Sequence, residues 1–319
     1  MAESYKEVQR KLFSSEFNKF FRKKISLYLG KIEKLRKKYL LFVYIIAAIA
    51  LFPIIISFIY FFIDYESLLL NVTRYGNFIF IIEFSLVLSI FFIIKKYKNK
   101  VKPLILPRLL SFAGDFRIID KNSPEYNVRP YVYSLELFSF FNRYSCDDRI
   151  EGMYKNIKIS ISEILLRKET GSGKRRRIVT IFDGLLVKVP CLKKYKGTTY
   201  IKRNGICLDF SGNKVNLEDP EFEKYYDVYS NDQIEARYLI TTAFMNRMVE
   251  LAKKGIGQNI TLSFEHGNVN IAVASSKDWF ELPIMKSAND IMVYRAIILE
   301  IITILSIIDS LKLDVNIGL

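Results

Sequence analysis

The sequence predicts an α+β protein in which a two-helix transmembrane hairpin is followed by a cytoplasmic antiparallel-sheet domain that closes on a long C-terminal helix. Three observations carry this. Two long apolar runs fall within residues 39–94. Short segments of alternating apolar and polar residues, separated by turn-forming pairs, fill residues 150–282. A further apolar run at helical spacing ends the chain at 291–311. Half of the 319 residues are hydrophobic, yet the formal net charge is +15. Such a chain is neither a disordered polyelectrolyte nor an ordinary soluble domain, so the two properties must occupy different segments.

Residues 1–38 hold 12 Lys or Arg against 4 acids, with Leu12, Phe13, Phe17, Phe20, Phe21, Ile25, Leu27, Leu29, Ile32 and Leu35 at helical spacing. This pattern predicts a basic juxtamembrane helix lying on anionic lipid, in preference to a merely solvated basic face. Tyr39–Ile63 is 25 residues without a charge, where about 20 suffice to cross the hydrocarbon core. The run is too long, and too far from Met1, for a cleaved signal peptide. Phe78–Ile94 is a second run of 17 residues with one charge, Glu83, and is expected to span from about 75 to 94. Lys95, Lys96, Lys98, Lys100 and Lys102 mark its exit, whereas the stretch between the runs has only Arg74. This bias places both termini in the cytoplasm.

Glu83 is an acid in a membrane segment, which by default reads as functional. Reaching the interface or pairing with Arg74 is the plainer alternative. Residues 95–130 are expected to form a basic exit and an amphipathic linker, made irregular by Pro103 and Pro107 and stopped at Gly114-Asp115. The cytoplasmic α+β domain then occupies 131–319. Tyr131–Tyr144, rich in aromatics, should pack against it.

Within the domain, Ile150–Ser160 and Ile161–Lys168 are expected to pair, and Arg175–Val189 to turn at Asp183-Gly184. Thr198–Arg203 and Ile206–Phe210 should form a hairpin at Asn204-Gly205, and Asn259–Glu265 and Asn268–Ala274 another at His266-Gly267. Phe222–Val228 reads as a short strand or a turn of helix, Asn231–Lys254 as one helix, and Trp279–Leu282 as a short strand. Asn289–Leu311 reads as a helix covering the sheet. Arg295, Glu300 and Asp309 argue against its crossing a membrane. The order of elements is reminiscent of a pleckstrin-homology-like barrel, a likeness of fold that carries no function.

The chemistry-bearing motifs are few. Gly171-Ser172-Gly173-Lys174 ends like a phosphate-binding loop, but Lys168 stands where that motif needs Gly and Arg175 where it needs Ser or Thr. A hairpin tip is the better reading. Residues 164–203 hold 12 Lys or Arg against two acids. Lys174, Arg175, Arg176, Arg177, Lys193, Lys194 and Lys196 are the candidates for binding anionic phospholipid headgroups. A nucleic-acid partner is not expected for a membrane-held domain. Asp147, Asp148 and Glu151, and Glu218, Asp219, Glu221 and Glu223, form two acidic clusters, read as solvated rather than metal-binding. A single His, His266, excludes multi-His metal sites, and three separated cysteines (Cys146, Cys191, Cys207) offer no disulfide framework. No cofactor is implied.

Asp148–Gly152, Phe182–Leu186, the run Phe222–Leu239 and Phe280–Leu282 resemble the bacterial membrane-protein family called domain of unknown function 3137. The elements at 222–238 carry the resemblance best, with Phe222, Glu223, Asp232, Glu235 and Arg237 as its motif residues. Glu235 and Arg237 are expected to form a buried ion pair that holds a helix to the sheet. The resemblance implies paired transmembrane helices, the bacterial inner membrane and a multi-pass topology, but no activity.

The expected function is a membrane-anchored, non-enzymatic binding or scaffold protein whose basic domain contacts anionic lipid and a protein partner. The alternatives are a membrane-bound enzyme on a phosphate-containing or lipid substrate, using acids such as Asp148, Glu151 or Glu223, and a tethered nucleic-acid binder.

Overall fold

The computed structural model describes residues 5–63, 65–204, 212–253, 259–275 and 277–313. The predicted Asn204-Gly205 turn, the strand Ile206–Phe210 and Cys207 lie outside the described residues, as do the side chains of Arg74 and Lys174. The chain divides into two units: one comprises 15–108 and 280–297, the other 1–14, 109–279 and 298–319.

The first unit is helical. After α1 (Tyr5–Phe13), which precedes it, come α2 (Ser15–Phe20), a π-helical turn at Phe21–Ile25 and the long helices α3 (Ser26–Ile63) and α4 (Tyr65–Ala113). α3 carries Pro53 inside it, and α4 runs through both Pro103 and Pro107. The irregular linker start expected at the two prolines is therefore absent. Gly114, at φ 147°, ends α4 as its sequence indicated.

Protein covers part of the apolar face of the helix predicted at 1–38 and leaves part open, with Phe13 56% and Leu27 80% exposed. Phe17, Ile25 and Ile32 have no exposed surface, and the Phe21 ring lies 5.1 Å from that of Tyr294. Further along α3 the picture reverses, for Leu41, Phe52, Phe58 and Ile63 are exposed, as are Phe78, Phe80, Phe91 and Phe92 of α4. Tyr39 and Tyr97 bring the two helices together, ring centroids 6.1 Å apart.

The segment 280–297 is bound into this unit. Glu281 pairs with Lys102 at 2.6 Å and with Lys98 at 3.8 Å. Glu33 accepts from the Ala288 amide at 3.0 Å and pairs with Arg36 at 2.6 Å. Trp279–Leu282 is thus no strand. Phe280 adopts φ 58°, which breaks extended pairing and swings Glu281 toward the two lysines.

The second unit is built on one nine-stranded antiparallel sheet: β1 (Asp115–Ile118), β2 (Arg143–Tyr154), β3 (Ile157–Thr170), β4 (Arg177–Pro190), β5 (Thr199–Arg203), β6 (Asn213–Lys214), β7 (Tyr226–Ser230), β8 (Ile260–Glu265) and β9 (Asn268–Ala274), in the order β1-β2-β3-β4-β9-β8-β5-β7-β6. The β8–β9 hairpin turns at His266-Gly267, as expected, with φ of 53° and 71°. Lys155 and Asn156, at φ 47° and 65°, make the corresponding turn between β2 and β3. Two successive residues at positive φ match the right-handed twist of the flanking strands. The pairing expected between 150–160 and 161–168 is therefore displaced.

The expected turn at Asp183-Gly184 does not exist either, since β4 runs straight through it. Gly184, at φ 151°, lies so close to the end of β9 that a Cβ there would come within 2.1 Å of the Val273 carbonyl. The glycine marks a close backbone approach rather than a reversal.

The alternating strands give the sheet two distinct faces. One carries Ile159, Ile161, Val187, Leu262, Phe264 and Ile271, all buried. Helix α8 (Thr242–Lys253) lies on it, with Phe244 6.0 Å from Phe264. The final helix α9 (Ile291–Ser310) is tied to it where the Tyr154 hydroxyl donates to Asp309 at 2.9 Å. The other face is covered by residues 128–141, including α5 (Arg129–Ser134): Val132, Leu135, Leu137 and Phe141 pack on Ile164, Leu166, Phe182 and Leu186. The aromatic stretch thus packs where the sequence placed it.

Two shorter helices complete the unit, α6 (Pro220–Glu223) and α7 (Gln233–Leu239). The single helix expected at 231–254 is broken between α7 and α8. Ile240 leaves helical geometry at ψ 76°, and the Thr241 hydroxyl restarts the helix by accepting from the Phe244 amide at 3.3 Å.

Among the described residues two helices are long and apolar enough to cross a membrane, one covering Ser15–Ile56 and the other Ile291–Ser310.

Candidate functional site

The basic stretch 164–203 does not form one patch. Arg175, Arg176 and Arg177 lie at the start of β4, and Lys193, Lys194 and Lys196 follow its end. Fourteen residues of extended chain hold them roughly 40 Å apart. The two groups have different surroundings. Lys193 is half-buried; burial lowers its pKa, its ammonium donates to the Tyr238 carbonyl at 2.8 Å and lies 4.8 Å from that ring. Lys194 and Lys196 are exposed. The Lys196 amide is bound at 2.6 Å by Glu235.

The first group sits on a projecting arm. β2 pairs with β3 only as far as Arg167, and β9 pairs with β4 only from Gly184 onward. The ends of β3 and β4 therefore continue as a two-stranded ribbon. Ile178 and Val179 occupy opposite faces of it, 48% and 55% exposed, and Phe140 alongside is 67% exposed. Lys168 lies over the Phe140 ring at 5.7 Å. Arg143 and Arg176 both pair with Glu169, whose pKa they lower. Arg175 and Arg177 are exposed. The arm thus presents apolar side chains within a rim of positive charge.

The motif residues hold local structure. Phe222 is wholly buried against Tyr226. Glu223 accepts from the Leu217 amide at 3.4 Å. Asp232 caps α7, accepting from the amides of Ile234 and Glu235 at 2.9 and 3.0 Å. Glu235 accepts from the amides of Lys196 and Gly197, both at 2.6 Å. A Cβ on Gly197 would come within 2.7 Å of that carboxylate, so only glycine admits this approach.

The buried Glu235–Arg237 ion pair is not formed. Residues two apart on a helix point away from each other, and Arg237 is exposed, donating to the carbonyls of Gln233 and Asn216 at 3.3 Å. Glu83 is half-buried on α4. The acids named for catalysis do not converge: Glu151 is on β2 and Glu223 beside β7, near opposite edges of the sheet. Asp147 pairs with Lys121, and Glu221 with Lys253. His266 is exposed at its hairpin tip, 3.2 Å from the Ser134 carbonyl.

Sequence reasoning missed a cleft of about 440 Å³ over β2, β3 and β4. Register alone builds it. Glu151 stands opposite Ser160, Ser160 opposite Lys188, and Lys188 opposite Asn270, while Arg149 stands opposite Ser162. Polar side chains thus run in a row across the same sheet face that residues 128–141 cover further along.

Glu151, 5% exposed, pairs with Arg149 at 2.5 Å and Lys158 at 3.2 Å. Burial raises its pKa, but these two cations outweigh burial and the net shift is downward. The Arg149 Nε is buried with no hydrogen-bond partner. Lys188 lies 4.0 Å from the Tyr131 ring centroid. Its pKa is lowered by burial and then by Arg149. Behind Tyr131 the row continues inward: its hydroxyl donates to Asn270 at 2.6 Å, Asn270 to Ser263 at 3.2 Å, and Ser263 to the buried Glu265 at 2.9 Å. Every second residue of β3 and β4 reaches this face, and an alternation of Lys158, Ser160 and Ser162 was the available signal.

Residues 180–313 match the model of a family described as "Protein of unknown function (DUF3137)". The match contains β4 from Thr180, all of the 222–237 motif and α9. It is narrower than the resemblance read along the chain, and Asp148–Gly152 falls outside it. No curated protein and no solved structure matches this chain.

Proposed function

We propose that the chain is a membrane-anchored binding protein whose sheet domain touches anionic lipid through the β3–β4 arm. The observation that carries this reading is the pairing of exposed Phe140, Ile178 and Val179 with Lys168, Arg175 and Arg177 on one projection. Isolated apolar residues are ordinary at surfaces. Aliphatic and aromatic side chains rimmed by arginine suit the boundary between headgroups and acyl chains, where the former enter hydrocarbon and the latter meet phosphate.

The anchor in this reading is the pair of segments 39–63 of α3 and 75–94 of α4, crossing the bacterial inner membrane as a hairpin. Many of their described apolar side chains, among them Leu41, Phe52, Phe58, Phe80 and Phe92, are exposed and suited to lipid. Lysines beyond both outer ends put the two termini in the cytoplasm. The arm refines the binding surface expected from sequence: Arg175 and Arg177 belong to it, while Lys193 serves Tyr238.

The test uses the full chain in vesicles, with a tryptophan placed by Val179→Trp. Lipids brominated in the acyl chain should quench it when anionic lipid is present and not in a zwitterionic bilayer. Adding Arg175→Ser and Arg177→Ser should remove the quenching. Absence of quenching in both bilayers sinks the lipid reading, and salt-sensitive capture of RNA or DNA by the same arm would replace it.

A further inference from the structure

The cleft on β2, β3 and β4 assigns this protein a second ligand, independent of the arm: we propose that it binds the phosphate group of a small phosphomonoester between Arg149 and Lys188.

Charge comes first. Arg149, Lys158 and Lys188 face the cleft with one acid, Glu151. Glu151 is within ion-pairing distance of Arg149 and Lys158. Lys188 has no carboxylate within ion-pairing distance among the described residues: Glu151 stands two strands away in the same row, beyond Ser160. Burial and the nearby charges of Arg149 and Lys158 disfavour its ammonium more than Glu151 favours it, and an anion between Lys188 and Arg149 would relieve this.

Donor geometry comes second. The Arg149 side chain is 14% exposed and engages Glu151 through one terminal nitrogen, leaving Nε buried and without an acceptor. A buried donor in that condition costs about 1–3 kcal/mol unless something accepts from it. Ser160 and Ser162 add hydroxyls on the same face. Guanidinium, ammonium and hydroxyl donors converging from one side suit a tetrahedral oxyanion.

Size comes third. A cleft of about 440 Å³ is more than a bare phosphate fills and lies in the range of small organic ligands. Val128, Leu186, Pro190 and the Tyr131 ring supply apolar wall for the organic part. A phosphomonoester carries close to two negative charges at neutral pH, which balances the excess of two cations. The same group occurs on soluble metabolites and on phosphatidate headgroups, and the experiment separates these sources.

Titration calorimetry on the full chain in detergent would use two probes, glycerol 3-phosphate and a short-chain phosphatidic acid. Binding of glycerol 3-phosphate supports a soluble phosphomonoester, and binding of the phosphatidic acid alone supports a lipid headgroup. In either case Lys188→Met and Arg149→Gln should each weaken the complex at least tenfold. Lys188→Arg, which keeps the charge, should stay within a few-fold of the parent. A ligand-induced rise in melting temperature, present in the parent and absent in Lys188→Met, checks that the variant is folded and has lost only the ligand. Failure of both probes to bind at millimolar concentration overturns the proposal, as does unchanged affinity in Lys188→Met and Arg149→Gln. The arm carries none of these residues, so loss of lipid quenching at Val179→Trp leaves this outcome unaffected.

Discussion

The helices Ser15–Ile56 and Ile291–Ser310 both pass as membrane spans by length and composition, yet of the apolar 18-residue stretch within each, only 6% is buried in protein in the first against 56% in the second. The difference lies in what their neighbours offer. α9 places Ile298, Ile301, Leu305 and Ile308 on one fully buried stripe. Its charges have protein partners: Glu300 pairs with Lys277, and Asp309 with Lys155 at 2.7 Å. Among the described residues the apolar half of α3 has no fully buried stripe past Tyr39, only the half-buried Val43, Ile46, Ala47, Ala50 and Pro53 on one side, while Leu41, Phe42, Ile45, Ile49, Phe52 and Ile54 are exposed. Hydropathy counts apolar residues, whereas placement follows how evenly they surround the helix and whether its charges are answered.

A charge introduced into each helix should separate them most strongly. Ile301→Asp buries a carboxylate with no partner and should cost about 4 kcal/mol or more, unfolding the sheet unit in thermal melts followed by circular dichroism. Ile54→Asp in α3, where the side chain is 56% exposed, should leave that melt unchanged. Its effect should appear instead as poorer membrane insertion, at about 2.5–3.5 kcal/mol. Equal melting losses in the two variants would remove the distinction.

Next in size is the tie at the end of α9. Asp309→Asn weakens the contacts with Lys155 and Tyr154 and should lower stability by about 1.5–3 kcal/mol in urea unfolding. Asp232→Ala, which removes the cap of α7, should cost about 1 kcal/mol by the same measurement. The smallest effect belongs to the arm: Arg175→Ser with Arg177→Ser should change stability by less than about 0.5 kcal/mol. A larger change would mean that the arm is structural rather than a contact surface.

Acid provides a further check on the cleft. The pKa of Glu151 is depressed in the folded protein, so the stability it contributes is fully present above the ordinary carboxylate value of 4.5. It is lost as pH falls through the lower folded value. Glu151→Gln should flatten that part of the stability–pH curve, and an identical curve in the variant would show that other carboxylates govern acid unfolding.

Much of the fold was legible because its signals are local. His266-Gly267 carries a glycine at its positive-φ position, and the apolar run of α9 needs nothing beyond its spacing. Lys155-Asn156 makes an equivalent turn without glycine and was passed over. Gly184 imitates a turn signal, but its cause is the backbone of β9, ninety residues away in sequence. The break at Ile240-Thr241 has a local signal too, the Thr241 hydroxyl that caps the Phe244 amide, but the continuous apolar spacing across it masked that signal.

The site divides in the same way. A basic stretch is visible in composition, but its separation to the two ends of β4 requires knowing that residues 177–190 form one strand. The cleft depends on register: Arg149, Ser160 and Lys188 lie far apart in the chain and meet only because three strands align.

The sheet ends laterally in its two shortest strands, β1 with four residues and β6 with two, while the 14-residue β3 and β4 run past their neighbours as the arm. Short outer strands give a second molecule little to pair with; Asn142 closes the β3 edge of the arm by bonding the Glu169 backbone, but the β4 edge before Gly184 has no strand partner among the described residues and is a template for strand addition. Lys168, Arg175 and Arg177, exposed on the arm, place beside that edge the like charge that disfavours pairing between two copies of the arm. In the proposed membrane setting, the positive charge offered to lipid would have a second use, keeping neighbouring copies of the domain from zipping together.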